Sequence, residues 1–116
     1  MRIAKTEKKK QQYFLKYPNR EYFSDWEERC VKKFTYWAII KNDFPYDLIA
    51  YTHHLLIPKR KFADFEDMNK KEFKELMDIR SEIRLKYDCI LENLPRNRSV
   101  HAHFHFHLLV LKAGYK

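Results

Sequence analysis

The 116-residue chain has one glycine, Gly114, and that scarcity excludes a good deal. Loops that cradle phosphate with backbone amides, of the P-loop and dinucleotide-binding kinds, need several glycines where a Cβ would block close approach. Neither can be built here, so any bound phosphate must be gripped by other donors. Cysteine is scarce too: Cys30 and Cys89 stand in unrelated contexts without paired-ligand spacing, and read as reduced thiols rather than a disulfide framework. No apolar run approaches the ~20 residues that a membrane span requires. The N-terminus lacks the apolar segment of a secretion signal. A soluble cytoplasmic protein with no membrane partner is expected.

Negative charge is the minority sign. Sixteen Asp and Glu stand against 24 Lys and Arg, a formal net charge of +8, which favours anionic partners such as nucleotide phosphates or RNA. Part of the excess is the run Lys5, Lys8, Lys9 and Lys10, read as the solvated face of a basic N-terminal arm over residues 1–20. That arm, ending in Tyr17-Pro18-Asn19, is expected to be partly helical and to lay Tyr13, Phe14 and Leu15 on the rest. Further excess charge falls in Lys59, Arg60 and Lys61 and in Arg96 and Arg98. An apolar fraction of 45% argues for a folded globule, and residues 21–116 suffice for a single domain with one core.

What the chain does have is histidine, concentrated in Ser99-Val-His-Ala-His-Phe-His-Phe-His-Leu-Leu-Val-Leu111. His101, His103, His105 and His107 alternate with Ala102, Phe104, Phe106 and Leu108. A period of two is that of a β-strand, whose successive side chains leave opposite faces. The pattern predicts a strand with imidazoles on one face and a core on the other. Histidine titrates near neutral pH, so such a row suits acid–base or nucleophilic chemistry. A polar-faced strand without function and a zinc site, with His53 or His54 adding a ligand, are the competing readings.

The other elements follow from pattern. Ser24-Asp-Trp-Glu27 has capping-box spacing and predicts a short helix over 25–31, with a strand running into Val31 as the alternative. Phe34-Thr-Tyr-Trp-Ala-Ile-Ile40 is β-branched and aromatic, a strand apolar on both faces. Asn42-Asp-Phe-Pro-Tyr-Asp47 is a turn, and Tyr51 to Pro58 is a second strand. The long helix is expected from Asn69 to about Lys86, with Phe73, Leu76, Met77, Ile79, Ile83 and Tyr87 on its apolar face and Arg80 and Arg84 snorkelling. A short strand over 89–93 and a turn at 94–98 lead into the histidine strand. Strands with short turns and helices laid against them predict an α+β fold with an antiparallel sheet of about five strands.

His103-Phe-His105-Phe-His107-Leu-Leu109 resembles the motif of the histidine-triad (HIT) family, His-φ-His-φ-His-φ-φ with φ apolar. A start at His101 would put His107 in the closing apolar pair, so the register begins at His103. His53-His-Leu-Leu-Ile-Pro58 with its trailing basic residues resembles a second family feature, as does the Asn42-Asp-Phe-Pro-Tyr46 turn. The resemblance covers roughly residues 34–111. It implies a HIT-like fold and an activity: hydrolysis or transfer at the α-phosphate of a nucleoside phosphate through a covalent nucleotidyl-histidine.

On that resemblance His105 is the nucleophile, oriented by a strand carbonyl near His103. His107 donates to phosphate oxygens or the leaving group, His103 supports the geometry, and His53 completes the cluster. Histidine rather than glutamine at 107 matches the hydrolase branches. Asn42, or else Asp43, would contact ribose, and Phe44 and Tyr46 would wall the base. Asn93 and Ser99 would contact phosphate. Family members usually carry the hydroxyl residue three before the first motif histidine, whereas Ser99 lies four before His103. A β-bulge is then needed to keep parity, and Arg98 is the expected substitute donor. No metal and no cofactor is implied. A nucleotide, purine favoured, is the expected ligand, and many members of the family dimerise. A non-catalytic nucleotide- or RNA-binding domain is the rival reading.

Overall fold

A computed structural model describes residues 1–18 and 21–116; Asn19 and Arg20, the end of the expected arm, lie outside the described residues. Five antiparallel strands form one sheet: β1 (Cys30–Lys33), β2 (Trp37–Lys41), β3 (Ala50–Pro58), β4 (Cys89–Leu91) and β5 (Phe106–Leu111). Their spatial order is β1-β2-β3-β5-β4. Helix α1 (Ala4–Lys16) and helix α2 (Lys70–Ile83) lie on the sheet's two faces. The α+β class and the five antiparallel strands are as expected.

Strand parity sorts the side chains. Trp37, Ile39, Leu56, Phe106 and Leu108 pack with Leu76, Ile79 and Ile83 of α2 in the larger core, with Phe62 and Phe104 beside them. Ala38, Ile40, Leu55 and Ile57, from the alternate positions, pack with Tyr22, Phe23 and Phe44. In β5 the alternation puts His107 opposite Phe106 and Leu108, and the pairing Leu55↔His107 places it beside β3. His53 shares the face of Leu55 and Ile57. His54 points the other way, its Nδ1 2.7 Å from the Tyr87 hydroxyl.

The histidine strand is shorter than its pattern predicts. Pairing between β3 and β5 stops at Leu56↔Phe106, so His101, His103 and His105 precede the ladder. One cause is Pro58, which would face residue 104 and has no N–H to give. The Phe104 N–H donates instead to Phe62 O at 2.7 Å. Because residues 99–105 run outside the ladder, no bulge is needed to set Ser99.

Helix α2 begins at a capping box that the sequence reading passed over. The Glu72 N–H donates to Asn69 Oδ1 at 2.8 Å, and the Asn69 N–H to Glu72 Oε1 at 2.9 Å. Glu72 is only 1% exposed, and Arg60 donates to both its carboxylate oxygens. On this helix Phe73 and Met77 are exposed rather than on the core face, while Leu76, Ile79 and Ile83 are buried. The predicted capping box at Ser24 does not form: residues Trp26–Arg29 make one 3-10 turn without a side-chain cap, and β1 follows at once. Both readings of 25–31 thus hold a part of what is there.

The N-terminal arm is helical from Ala4 to Lys16 and buries no residue completely. Tyr13 and Phe14 pack on Tyr22 and Phe44, as the aromatic contacts at 5.4–6.3 Å show. Leu15 instead faces solvent at 81% exposure, because it leaves the helix one position off that stripe. Ahead of the helix, the Ile3 N–H donates to Asp47 Oδ1 at 2.9 Å, and Thr6 Oγ1 donates to the same carboxylate. Among the described residues no helix is long and apolar enough to cross a membrane.

Candidate active site

The sheet face under α1 carries a chain of imidazoles. The Tyr46 N–H donates to His53 Nδ1 at 2.8 Å, so a neutral His53 must hold its proton on Nε2. That nitrogen lies 2.7 Å from His107 Nδ1 and donates to it. His107 therefore carries its own proton on Nε2, which points at the Asn93 side-chain amide 3.1 Å away. The amide atom facing it is Asn93 Nδ2, while Asn93 Oδ1 accepts from Asn97 Nδ2 at 3.1 Å. This tautomer therefore requires the Asn93 amide to be turned about, with its oxygen toward His107. The Tyr46 ring stacks on His107 at 5.2 Å and leans on His53 at 4.2 Å, which fixes both rings.

His105 is oriented separately. Its Nδ1–H donates to the carbonyl of His103 at 3.1 Å, which leaves Nε2 with the lone pair. Among the described residues Nε2 has no hydrogen-bond partner, and the ring forms part of a cavity wall. The edge of Phe23 meets both His105 and His103, at 5.3 and 5.2 Å. His103 Nε2–H donates to Pro58 O at 2.7 Å, tying the segment before β5 to the end of β3.

Burial keeps all four rings neutral. Desolvation is the main cause in each, because charge is costly away from water. It takes His105 down to about 4, against the partial support of the His103 carbonyl. His53 falls to about 3 and His107 to about 2, where neighbouring imidazoles and the Arg2 guanidinium add to desolvation. Lys10 also acts on His107. His103 is lowered as well. A neutral His105 is nucleophilic as it stands, without an activating base.

The cavity, of about 180 Å³, brings together His105, His107, Asn42, Phe44, Tyr46, Asn93 and Ser99. Asn42 reaches it because its Oδ1 accepts the Phe44 N–H at 2.9 Å, an Asx turn that folds the chain back over β3. Its Nδ2 sits 3.3 Å from the His53 ring. His53 lies behind the wall, bonded to His107. His103 lines a larger adjoining cavity of about 580 Å³, along with His101, Lys59, Lys61, Trp26 and Glu21. Phe14, Tyr22, Phe23, Ser99 and Val100 border both.

Other expected site residues are turned elsewhere. Asp43 is exposed and paired with Arg29 at 2.9 Å, so Asn42 rather than Asp43 faces the cavity. Arg98 does not line it: its guanidinium donates to Asn93 O, to Ala63 O and to Asp64, at 2.9, 2.6 and 3.2 Å. It braces the loop that carries Asn93 and Ser99. Arg60 is committed to Glu72 in the same way.

Sequence reading missed several lining residues, among them those that the N-terminal segment and α1 bring. Arg2, Lys10 and Phe14 line the cavity, as do Tyr22, Phe23 and Asn97. Lys10, expected to be solvated with its neighbours, is half-buried while Lys5, Lys8 and Lys9 are exposed. Its Nζ donates to Ser99 Oγ at 2.5 Å. The signal was the spacing of Thr6, Lys10, Tyr13 and Phe14, which recur every three or four residues and so share one helical face. Among the described residues no group of three or more His, Cys, Asp or Glu is arranged to hold a metal ion.

Among the solved structures that share this architecture is the crystal structure of a HIT family hydrolase from Legionella pneumophila Philadelphia 1. The TM-score is 0.53 and the identity 24%, over 70% of this chain and 79% of that one. The likeness is one of fold, and the fold is HIT-like. No family model and no curated protein matches the sequence.

Proposed function

We propose that the chain is a nucleotide hydrolase or nucleotidyltransferase that works through a covalent nucleotidyl-His105. The observation that carries this reading is the setting of His105: Nδ1–H held by the His103 carbonyl, Nε2 open to the cavity, and the ring kept neutral by burial. That is the arrangement a nitrogen nucleophile needs near neutral pH.

In the first step the Nε2 lone pair attacks the α-phosphorus. The Nε2–P bond forms, and the bond from phosphorus to the leaving group breaks. A phosphate leaves as the anion; an amine takes up one proton from solvent as its bond to phosphorus breaks and leaves as the neutral molecule. The Nδ1–H stays on the ring, and its bond to the His103 carbonyl strengthens as the imidazole gains positive charge. Water then attacks phosphorus, the P–N bond breaks with its electron pair returning to Nε2, and the proton of water goes to solvent. His107 acts as a hydrogen-bond donor: its Nε2–H turns from Asn93 to a phosphoryl oxygen. His53 holds the tautomer that makes this donor available. Most of the acceleration comes from positioning and from donors aimed at the spreading phosphoryl charge.

Asn93 and Ser99 are assigned to phosphate, Asn42 to ribose, and Phe44 with Tyr46 to the base wall. A whole nucleotide needs more room than 180 Å³. The adjoining cavity, open across Ser99 and Val100, supplies it.

Intact mass after brief mixing with adenosine phosphoramidate, with EDTA in every tube, tests the reading. The wild type should gain one nucleoside monophosphate and His105→Ala should gain none. Absence of both adduct and product across all four nucleobases would leave a binding module in its place.

A further inference from the structure

The cavity at His105 has an unusual charge make-up. Its wall holds two cations, Arg2 and Lys10, with two imidazoles, three asparagine side chains and Ser99. Among the described residues no carboxylate lines it. Both cations come from the first ten residues, outside the stretch where the histidine motif lies.

Each is held in place. Arg2 Nε donates to Phe44 O at 2.7 Å, and the guanidinium lies 4.6 Å over the Tyr46 ring. Lys10 Nζ is fixed on Ser99 Oγ. The carboxylate that acts on both, Glu7, is half-buried 3.5 Å from Arg2 and is not part of the wall. The two cations also repel: Arg2 and burial together lower the Lys10 ammonium from its usual range. Two like charges brought into one partly desolvated space cost free energy unless an anion sits between them. Glycine-rich phosphate loops are absent from this chain, and the side-chain donors Lys10, Ser99 and Asn93 meet at this wall instead.

We propose that Lys10, with Arg2 behind it, is the anion-binding pole of the cavity, holding the most highly charged phosphate of the ligand and making the site prefer doubly charged phosphate. The inference rests on the reading that a nucleotide phosphate enters at His105, and it assigns N-terminal residues a specificity role there. A phosphate oxygen takes the Lys10 donor now spent on Ser99, and the Ser99 hydroxyl turns to a second oxygen. Charge-assisted bonds of this kind are the strong ones.

Calorimetric titration of the full chain with AMP, whose phosphate is largely dianionic at pH 7.5, and with adenosine, which has none, tests this. Lys10→Met keeps the aliphatic stem and removes the charge. It should weaken AMP by roughly tenfold or more and leave adenosine unchanged, while Lys10→Arg restores AMP. Unchanged adenosine binding also shows that the variant is folded. Equal effects on both ligands, no effect on AMP, or a wild type that binds AMP no better than adenosine would overturn the inference. Failure of the transfer chemistry would look different: Lys10-dependent AMP binding without any adduct on His105.

Discussion

The two faces of the sheet are made from the same strands and do opposite work. Toward α2, β2, β3 and β5 present Trp37, Leu56, Phe106 and Leu108, which pack against the buried Leu76, Ile79 and Ile83 of the helix. Toward α1 the alternate positions present His53, His107 and smaller apolar residues, beneath a helix that buries none of its own side chains completely. One face is filled by shape and the other is wired by hydrogen bonds. A period of two lets a single strand serve both without compromise: Leu108 can be judged on volume alone while His107, one residue earlier, is judged on its tautomer.

If the faces are separable, changes should be separable too. The largest effect is expected on the wired face, in activity. His105→Ala should lower nucleotide turnover by roughly 10³-fold or more, measured in steady state. Its thermal midpoint should stay close to wild type, since the ring makes only edge contacts, with Phe23 at 5.3 Å and His107 at 5.1 Å.

The converse test lies under α2. Ile79 is 1% exposed, and Ile79→Ala should cost about 2–5 kcal/mol in chemical denaturation. At a temperature where the variant is still folded, its kcat should match wild type. A large loss of kcat in folded protein would show that the faces are coupled.

Acid should destabilise the fold through the imidazoles of the wired face. His53, His105 and His107 are held neutral in the folded state at pH values where the unfolded chain takes up protons near pH 6.5. The unfolded state therefore binds more protons below that pH, and stability falls as pH drops from about 6.5 toward the folded values of about 4, 3 and 2. Each histidine contributes a slope of up to roughly 1.4 kcal/mol per pH unit. Aspartate and glutamate scarcely titrate between pH 6.5 and 5.5, so that window isolates the imidazoles. Denaturation at the two pH values should show the loss, and replacing His53 and His107 by asparagine should shrink it. The smallest effect is Leu15→Ala: with 81% of Leu15 exposed, the unfolding free energy should move by less than about 0.5 kcal/mol.

What could be read from the chain beforehand follows the same division. The alternation is a local property, and it places His107 opposite Phe106 and Leu108 as expected. Where the strand begins depends instead on Pro58 of the neighbouring strand, which leaves His103 and His105 ahead of the ladder. Pro58 and the periodic apolar stripe of α2 were local as well, and they fall where expected apart from Phe73 and Met77. The misplaced features depend on distant partners. Arg98 looked available in sequence, yet Ala63 and Asp64, about 35 residues away, take its donors. The capping box spacing at Ser24 lost to β1, whose pairing with β2 begins at Cys30. Lys10 looked like one of four solvated lysines until the helix met Ser99, 89 residues further on. Composition cannot report that contact, because only the turn-by-turn register of α1 separates Lys10 from Lys9.

The central claim is that His105 Nε2 forms a bond to phosphorus, and the most direct measurement finds that bond. The acid-labile, alkali-stable character of a phosphorus–nitrogen link lets the quenched protein be digested at high pH and its labelled peptide sequenced by tandem mass spectrometry. The account predicts nucleoside monophosphate on the peptide containing residues 99–111, with fragment ions placing it on His105. Label on another residue, or an intermediate that survives acid, would contradict it.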